Sequence, residues 1–97
     1  MKTIKECKTI ADVRGEIDRI DKLIIELLGE RYLYIKEIVR FKTNSNEVEA
    51  PARYDEVLKL RRAWAAKEGI NEDVVEKIYI DLLEYFIAEQ KRILKLN

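Results

Sequence analysis

Apolar residues recur at Val13, Ile17, Ile20, Ile24, Leu27, Leu28, Ile35 and Ile38, within a run from Ile10 to about Lys42. That is helical spacing. The run contains no proline, and its only glycines are Gly15 and Gly29. At about 1.5 Å per residue the pattern predicts one helix ~50 Å long. A compact chain of this length has a radius of gyration of ~12–13 Å and so spans ~32 Å. The helix overshoots any globule its own chain can build. A stripe that long needs a partner, and a second copy of the chain is the simplest one. The pattern therefore predicts a helical homodimer.

The rest of the chain is also helical in pattern. Residues 1–9 are polar and lysine-rich, and Thr9 or Asp12 is placed to cap the long helix. Asn44, Ser45 and Asn46 are turn formers, and 43–50 has little apolar content. This segment reads as a mobile loop directly after Lys42, a candidate lid. Pro51 suits the first turn of a second helix, about 51–67, carrying Val57, Leu58, Leu60, Ala63 and Trp64. Gly69 ends it. Asn71 then caps a third helix, with Glu72 and Asp73 in its first turn. Its buried face is predicted at Val74, Val75, Ile78, Leu82, Phe86 and Ile93, and it runs to about Leu96. Tyr32, Tyr34, Tyr79 and Tyr85 fit core or interface positions. Without strand patterns or repeats, the expectation is a single all-α domain, 1–97, of three helices.

Composition narrows the chemistry. Lysine plus arginine equals aspartate plus glutamate, 19 each, for a net charge of zero. That argues against a nucleic-acid partner. There is no histidine, which removes the commonest general base and metal ligand. Cys7 is the only cysteine, so no intramolecular disulfide or thiolate cluster forms, and it reads as a half-buried small residue. No apolar run approaches the ~18 residues of a membrane span, and MKTIKECKTI lacks a signal-peptide core. The expectation is a soluble, cytoplasmic protein with no membrane partner.

Two cations interrupt the long stripe. Arg31 and Lys42 lie ~20° apart around the helix and ~16 Å apart along it. A cation there is either paired or waits for an anion. Glu16, Glu26, Glu30 and Glu37 are available as structural partners. Arg14 lies ~25 Å from Arg31 and ~100° around the axis, so one helix cannot aim both at one small ligand. An antiparallel partner helix could bring its own Arg14 to Arg31 and Lys42, giving two shared sites per dimer. On the third helix Gln90 shares the face of Leu82 and Phe86, where an amide wants hydrogen-bond partners. Arg53 follows the candidate lid. Cations and one amide on apolar faces, without a nucleophile or metal cluster, suit a small, rather apolar polyanion held in one shape.

This constellation resembles the all-helical chorismate mutase family. The carriers are Arg14 in ADVRGEIDRID, Arg31 in LLGERYLYIKEI, Lys42 in RFK, Arg53 in PAR and Gln90 in IAEQ. The start MKT with Cys7, and RAWA with Gly69 after it, add similarity to the isochorismate pyruvate lyase branch, which serves salicylate (pyochelin) biosynthesis. The resemblance implies an intertwined homodimer of three-helix chains. It implies that Arg14 reaches into the partner's site and, with Arg31, holds two carboxylates, and that Lys42 and Gln90 face the ether oxygen of the enolpyruvyl group. Arg53 would also bind substrate. The implied reactions are pericyclic and need no cofactor or metal: chorismate to prephenate, or isochorismate to salicylate and pyruvate. Two departures favour the lyase. The family's mutases carry an acid after the arginine matched by Arg53, where this chain has Tyr54. They often carry a small hydroxyl residue where this chain has Phe86. A dedicated mutase is the alternative, and a non-enzymatic helical dimerisation module, with the cations as interface ion pairs, is the reading from another class.

Overall fold

In the computed structural model, which describes residues 1–96, all regular structure among the described residues is helical. The α-helices are α1 (Ile10–Ile38), α2 (Ser45–Glu49), α3 (Pro51–Lys67) and α4 (Glu72–Leu94), with 3-10 turns at Ile4–Glu6 and Val39–Phe41. Among the described residues no helix is long and apolar enough to cross a membrane. The chain divides into two units, Met1–Tyr34 and Ile35–Asn97. Helix α1 begins in the first and ends in the second.

In the first unit, Thr9 and Asp12 share the capping. Thr9 Oγ1 accepts from the Asp12 amide at 3.1 Å, and the Asp12 carboxylate accepts from the Thr9 amide at 3.3 Å. Asp12 also accepts from the Lys8 amide at 2.9 Å and from Lys2 Nζ at 2.8 Å. These bonds, the Lys2 bond foremost, hold its carboxyl down at about 2. Beyond the cap, α1 buries none of its residues. Val13, Ile17, Ile20 and Ile24, in the middle of the apolar stripe, are 45–51% exposed in a single chain.

The second unit corrects the expected boundaries. Helix α1 stops at Ile38, short of Lys42, and the chain tightens into the 3-10 turn. The turn tucks Val39 inside while leaving Phe41 exposed, and Lys42 then turns extended at φ −125°, ψ 141°. The segment 43–50 is not a plain loop. Asn44 Oδ1 accepts from the Glu47 amide at 2.9 Å, which starts α2, and Val48 inside α2 is the most deeply buried side chain at 2% exposure. One buried valine outweighs a polar composition. Ala50 joins α2 to α3 in the left-handed region, φ 39°, immediately before Pro51.

Helix α3 ends as expected. Gly69 takes φ 74°, its amide bonds Ala66 O at 3.1 Å, and the Ile70 amide bonds Ala65 O at 2.9 Å. This paired closure requires the left-handed residue that glycine supplies. Asn71 caps α4 through the Val74 amide at 3.0 Å. Arg62 ties α3 to the start of α4, reaching Asp73 at 2.8 Å and Glu72 at 3.4 Å. Helix α4 ends at Leu94, earlier than expected, with Lys95 left-handed.

Val57 and Ala65 of α3 and Phe86 and Gln90 of α4 are buried, with Val39 and Val48. The face expected for α4 is partly wrong. Val74, Ile78 and Ile93 are exposed, whereas Val75 and Leu82 are half-buried. The helix carries two apolar stripes. Phe86 and Gln90 mark the one turned inward, and Val74, Ile78 and Tyr85 mark another ~120° away.

Truncating Val48 to Ala should cost about 2 kcal/mol, from the lost methyl groups and the cavity they leave. Denaturant unfolding checks this. Asp12 titrates lower folded than unfolded, so its contribution is present above pH ~4 and is lost as pH falls toward 2. Hydrogen exchange at the Lys8 and Thr9 amides should accelerate across that window, and Asp12→Asn should flatten the response.

Candidate functional site

The site begins with the geometry around Lys42. The Lys42 amide bonds Val39 O at 3.1 Å, which ends the 3-10 turn, and the backbone at Lys42 is extended. Its ammonium donates to Gln90 Oε1 at 2.9 Å. Gln90 is 5% exposed, so the amide on an apolar stripe has found its partner. With its oxygen on the lysine, the carboxamide keeps its NH2 group as a second donor beside the ammonium.

Burial, the larger influence, pushes the Lys42 ammonium below its usual value, and Glu47 opposes that shift. Among the described residues no carboxylate is ion-paired with Lys42. A neutral amide holds the cation without cancelling its charge. This arrangement can present a partly desolvated positive charge to an oxygen that becomes negative.

The structure brings together Lys42 and Gln90 of the five expected site residues. Arg53, at the start of α3, is exposed and ion-paired with Glu56 one turn on. Arg14 is exposed and Arg31 half-buried, both on α1 within the unit Met1–Tyr34.

The sequence reading missed two interactions. Tyr54 donates its phenolic hydrogen to Glu84 Oε1 at 2.9 Å, linking α3 to α4. Partial burial and Glu84 raise the Tyr54 pKa. The groove beside this bond, about 330 Å³, also contains Lys91, which ion-pairs with Glu49 at 2.9 Å. The second is a knot at Glu47. Its carboxylate accepts from the Thr43 amide at 3.2 Å, Thr43 Oγ1 at 2.6 Å and Asn44 Nδ2 at 2.8 Å. A signal was present: Asn44 followed three residues later by Glu47 has the spacing of a helix start. Nothing local links Tyr54 to a residue 30 positions on.

Residues 13–91 match the chorismate mutase type II family. The chain belongs to that family. Among relatives of this chorismate mutase family member, an isochorismate pyruvate lyase of Pseudomonas aeruginosa is 39% identical over 90 residues, covering 93% of this chain and 89% of the relative. A chorismate mutase of Methanocaldococcus jannaschii is 30% identical over 87 residues, covering 89% and 88%. The T-protein of Haemophilus influenzae is 31% identical over 83 residues, which cover 84% of this chain but 21% of that longer protein. Membership makes the chain an enzyme and sets aside the dimerisation-module reading.

Gln90→Leu should destabilise the fold by ~1–3 kcal/mol, because it strands a partly buried ammonium. Lys42 titrates lower folded than unfolded, so its charged form is the one that burial penalises. The penalty should be full near neutral pH and shrink as rising pH discharges the lysine. Urea unfolding at several pH values checks this, and Lys42→Met in the same background should restore stability.

Proposed function

We propose that the protein is an isochorismate pyruvate lyase with weaker chorismate mutase activity. It would work in the cytoplasm as an intertwined homodimer in which all of 1–97 forms one domain. The observation that carries the reading is the Lys42–Gln90 bond, a half-buried ammonium held by a nearly buried amide. It occurs in a chain 39% identical to an isochorismate pyruvate lyase.

In this reading the partner's Arg14 and this chain's Arg31 grip the two carboxylates of the substrate, and Arg53 exchanges Glu56 for substrate. The grip folds the enolpyruvyl group over the ring. The ether C–O bond breaks as a ring hydrogen moves to the enolpyruvyl methylene carbon, giving pyruvate and an aromatic salicylate. Negative charge grows on the ether oxygen during that step. Lys42 meets it with its ammonium and Gln90 with its amide NH2. A cation fixed there stabilises the transition state more than the ground state, which is what raises the rate. The chemistry asks for no cofactor or metal.

Tyr54 supports the lyase over the mutase. Its phenol is engaged by Glu84, so the position that carries a hydroxyl-reading acid in the mutases offers none here. The mutase remains the second reading, because a chorismate mutase is 30% identical over most of its length. The exposed stripe on α1 and the outer stripe on α4 support a second copy as the cover.

Purified protein given isochorismate should yield equal amounts of salicylate and pyruvate. Prephenate from chorismate without any salicylate would favour the mutase, and turnover of neither would overturn the reading. Lys42→Ala should lose ~10²–10³ in kcat while circular dichroism and molecular mass stay unchanged. Arg14→Ala and Arg31→Ala chains, each inactive, should regain about a quarter of wild-type activity when mixed, because half of random dimers carry one intact site.

A further inference from the structure

Lys42 is aimed by its backbone, and the backbone on either side of it is tied. On one side the Lys42 amide bonds Val39 O at 3.1 Å. On the other, the Thr43 amide bonds Glu47 Oε1 at 3.2 Å. The peptide units flanking the Lys42 Cα are therefore both held, and with them the direction of the Cα–Cβ bond. The same Glu47 oxygen takes Thr43 Oγ1 and Asn44 Nδ2. Asn44 returns the bond by accepting from the Glu47 amide at 2.9 Å. The knot is anchored from below by Val48, the next residue, which is buried.

We propose that Glu47 is a positioning residue for the Lys42 chemistry: it fixes the peptide after Lys42, so the ammonium meets Gln90, and it places a negative charge near that ammonium without pairing with it. The inference rests on the proposed role of Lys42 in bond cleavage and adds the residue through which that role is set.

The surrounding charges leave this task to Glu47. From α4 the group that faces Lys42 is the neutral Gln90. Lys91, next to it, is neutralised by Glu49 of α2. Arg40, on the 3-10 turn, is ion-paired with Glu37 and lies over the Phe41 ring. Glu47 acts on Lys42 through its field, while its hydrogen bonds go to Thr43 and Asn44. A carboxylate in direct contact would cancel the charge the reaction uses. One held five residues away by other donors sustains the charge and leaves the ammonium free to donate.

Two substitutions separate aim from charge. Glu47→Gln keeps an acceptor oxygen for the Thr43 amide but loses the charge. Glu47→Ala loses both. Glu47→Ala should lower kcat about ten- to hundredfold, since a small misplacement of a reacting group is costly, with little change in KM. Glu47→Gln should lose less at pH 7. In both variants the basic limb of the kcat profile should move to lower pH, because the lysine gives up its proton more readily.

The Lys42 side chain can also be followed without substrate, by NMR of 13C-labelled lysine with the Lys42 signal assigned through Lys42→Arg. Its titration should move to lower pH in Glu47→Gln. An unchanged Lys42 titration in Glu47→Gln, or a wild-type kcat in Glu47→Ala, overturns the inference. If Glu47→Ala does not fold, the Glu47→Gln titration decides. If wild type turns over neither isochorismate nor chorismate, the proposed function fails, and the lysine titration still judges Glu47 by itself.

Discussion

A cation partly removed from water and held by a neutral amide is the constraint around which the second unit is built. Lys42 cannot be buried cheaply, and the ordinary remedy is a carboxylate. The chain instead supplies Gln90 from the inward stripe of α4. That choice makes demands elsewhere. Helix α1 must stop at Ile38 so that the backbone can turn at Lys42. The short α2 must be pinned by Val48, and α4 must present Phe86 and Gln90 on one face. Each feature is local, yet all converge on the placement of one ammonium.

The second constraint is surface left over. Helix α1 has no buried residue, and its apolar side chains lie about half open. Helix α4 repeats the theme with Val74, Ile78 and Tyr85 away from its packed face. Apolar stripes of that length are uncommon on chains that stay alone. In the proposed dimer, a site assembled from two copies would tie folding, association and chemistry together. Arg14 would then work for the partner rather than for its own chain.

Much of this was legible in the residue pattern. The helical character, the α3 and α4 starts at Pro51 and Asn71, and the stop at Gly69 follow from local stereochemistry and match the structure. The need of Gln90 for a partner was also legible, because a stripe position and an amide suffice to state it. The end of α1 was not. A helix-compatible run through Lys42 gives no hint that burial of Val39 tightens the turn. The composition of 43–50 misled for the same reason, since the one apolar residue that mattered, Val48, decided the outcome. On α4 periodicity found apolar positions but could not say which stripe meets α3. The Tyr54–Glu84 bond depends on the packing of two helices and leaves no local trace.

Ala50 shows what the chain gives up to keep the site stiff. A left-handed alanine is disfavoured by roughly 1 kcal/mol or more against glycine. Here it is retained between two helices, its amide on Asn46 O at 2.8 Å and its carbonyl taking the Tyr54 amide at 2.9 Å. Glycine would relax the joint and also let it swing, so alanine with proline after it makes an elbow with little play. The protein accepts a standing backbone strain at this corner in exchange for a segment beside Lys42 that need not search for its pose.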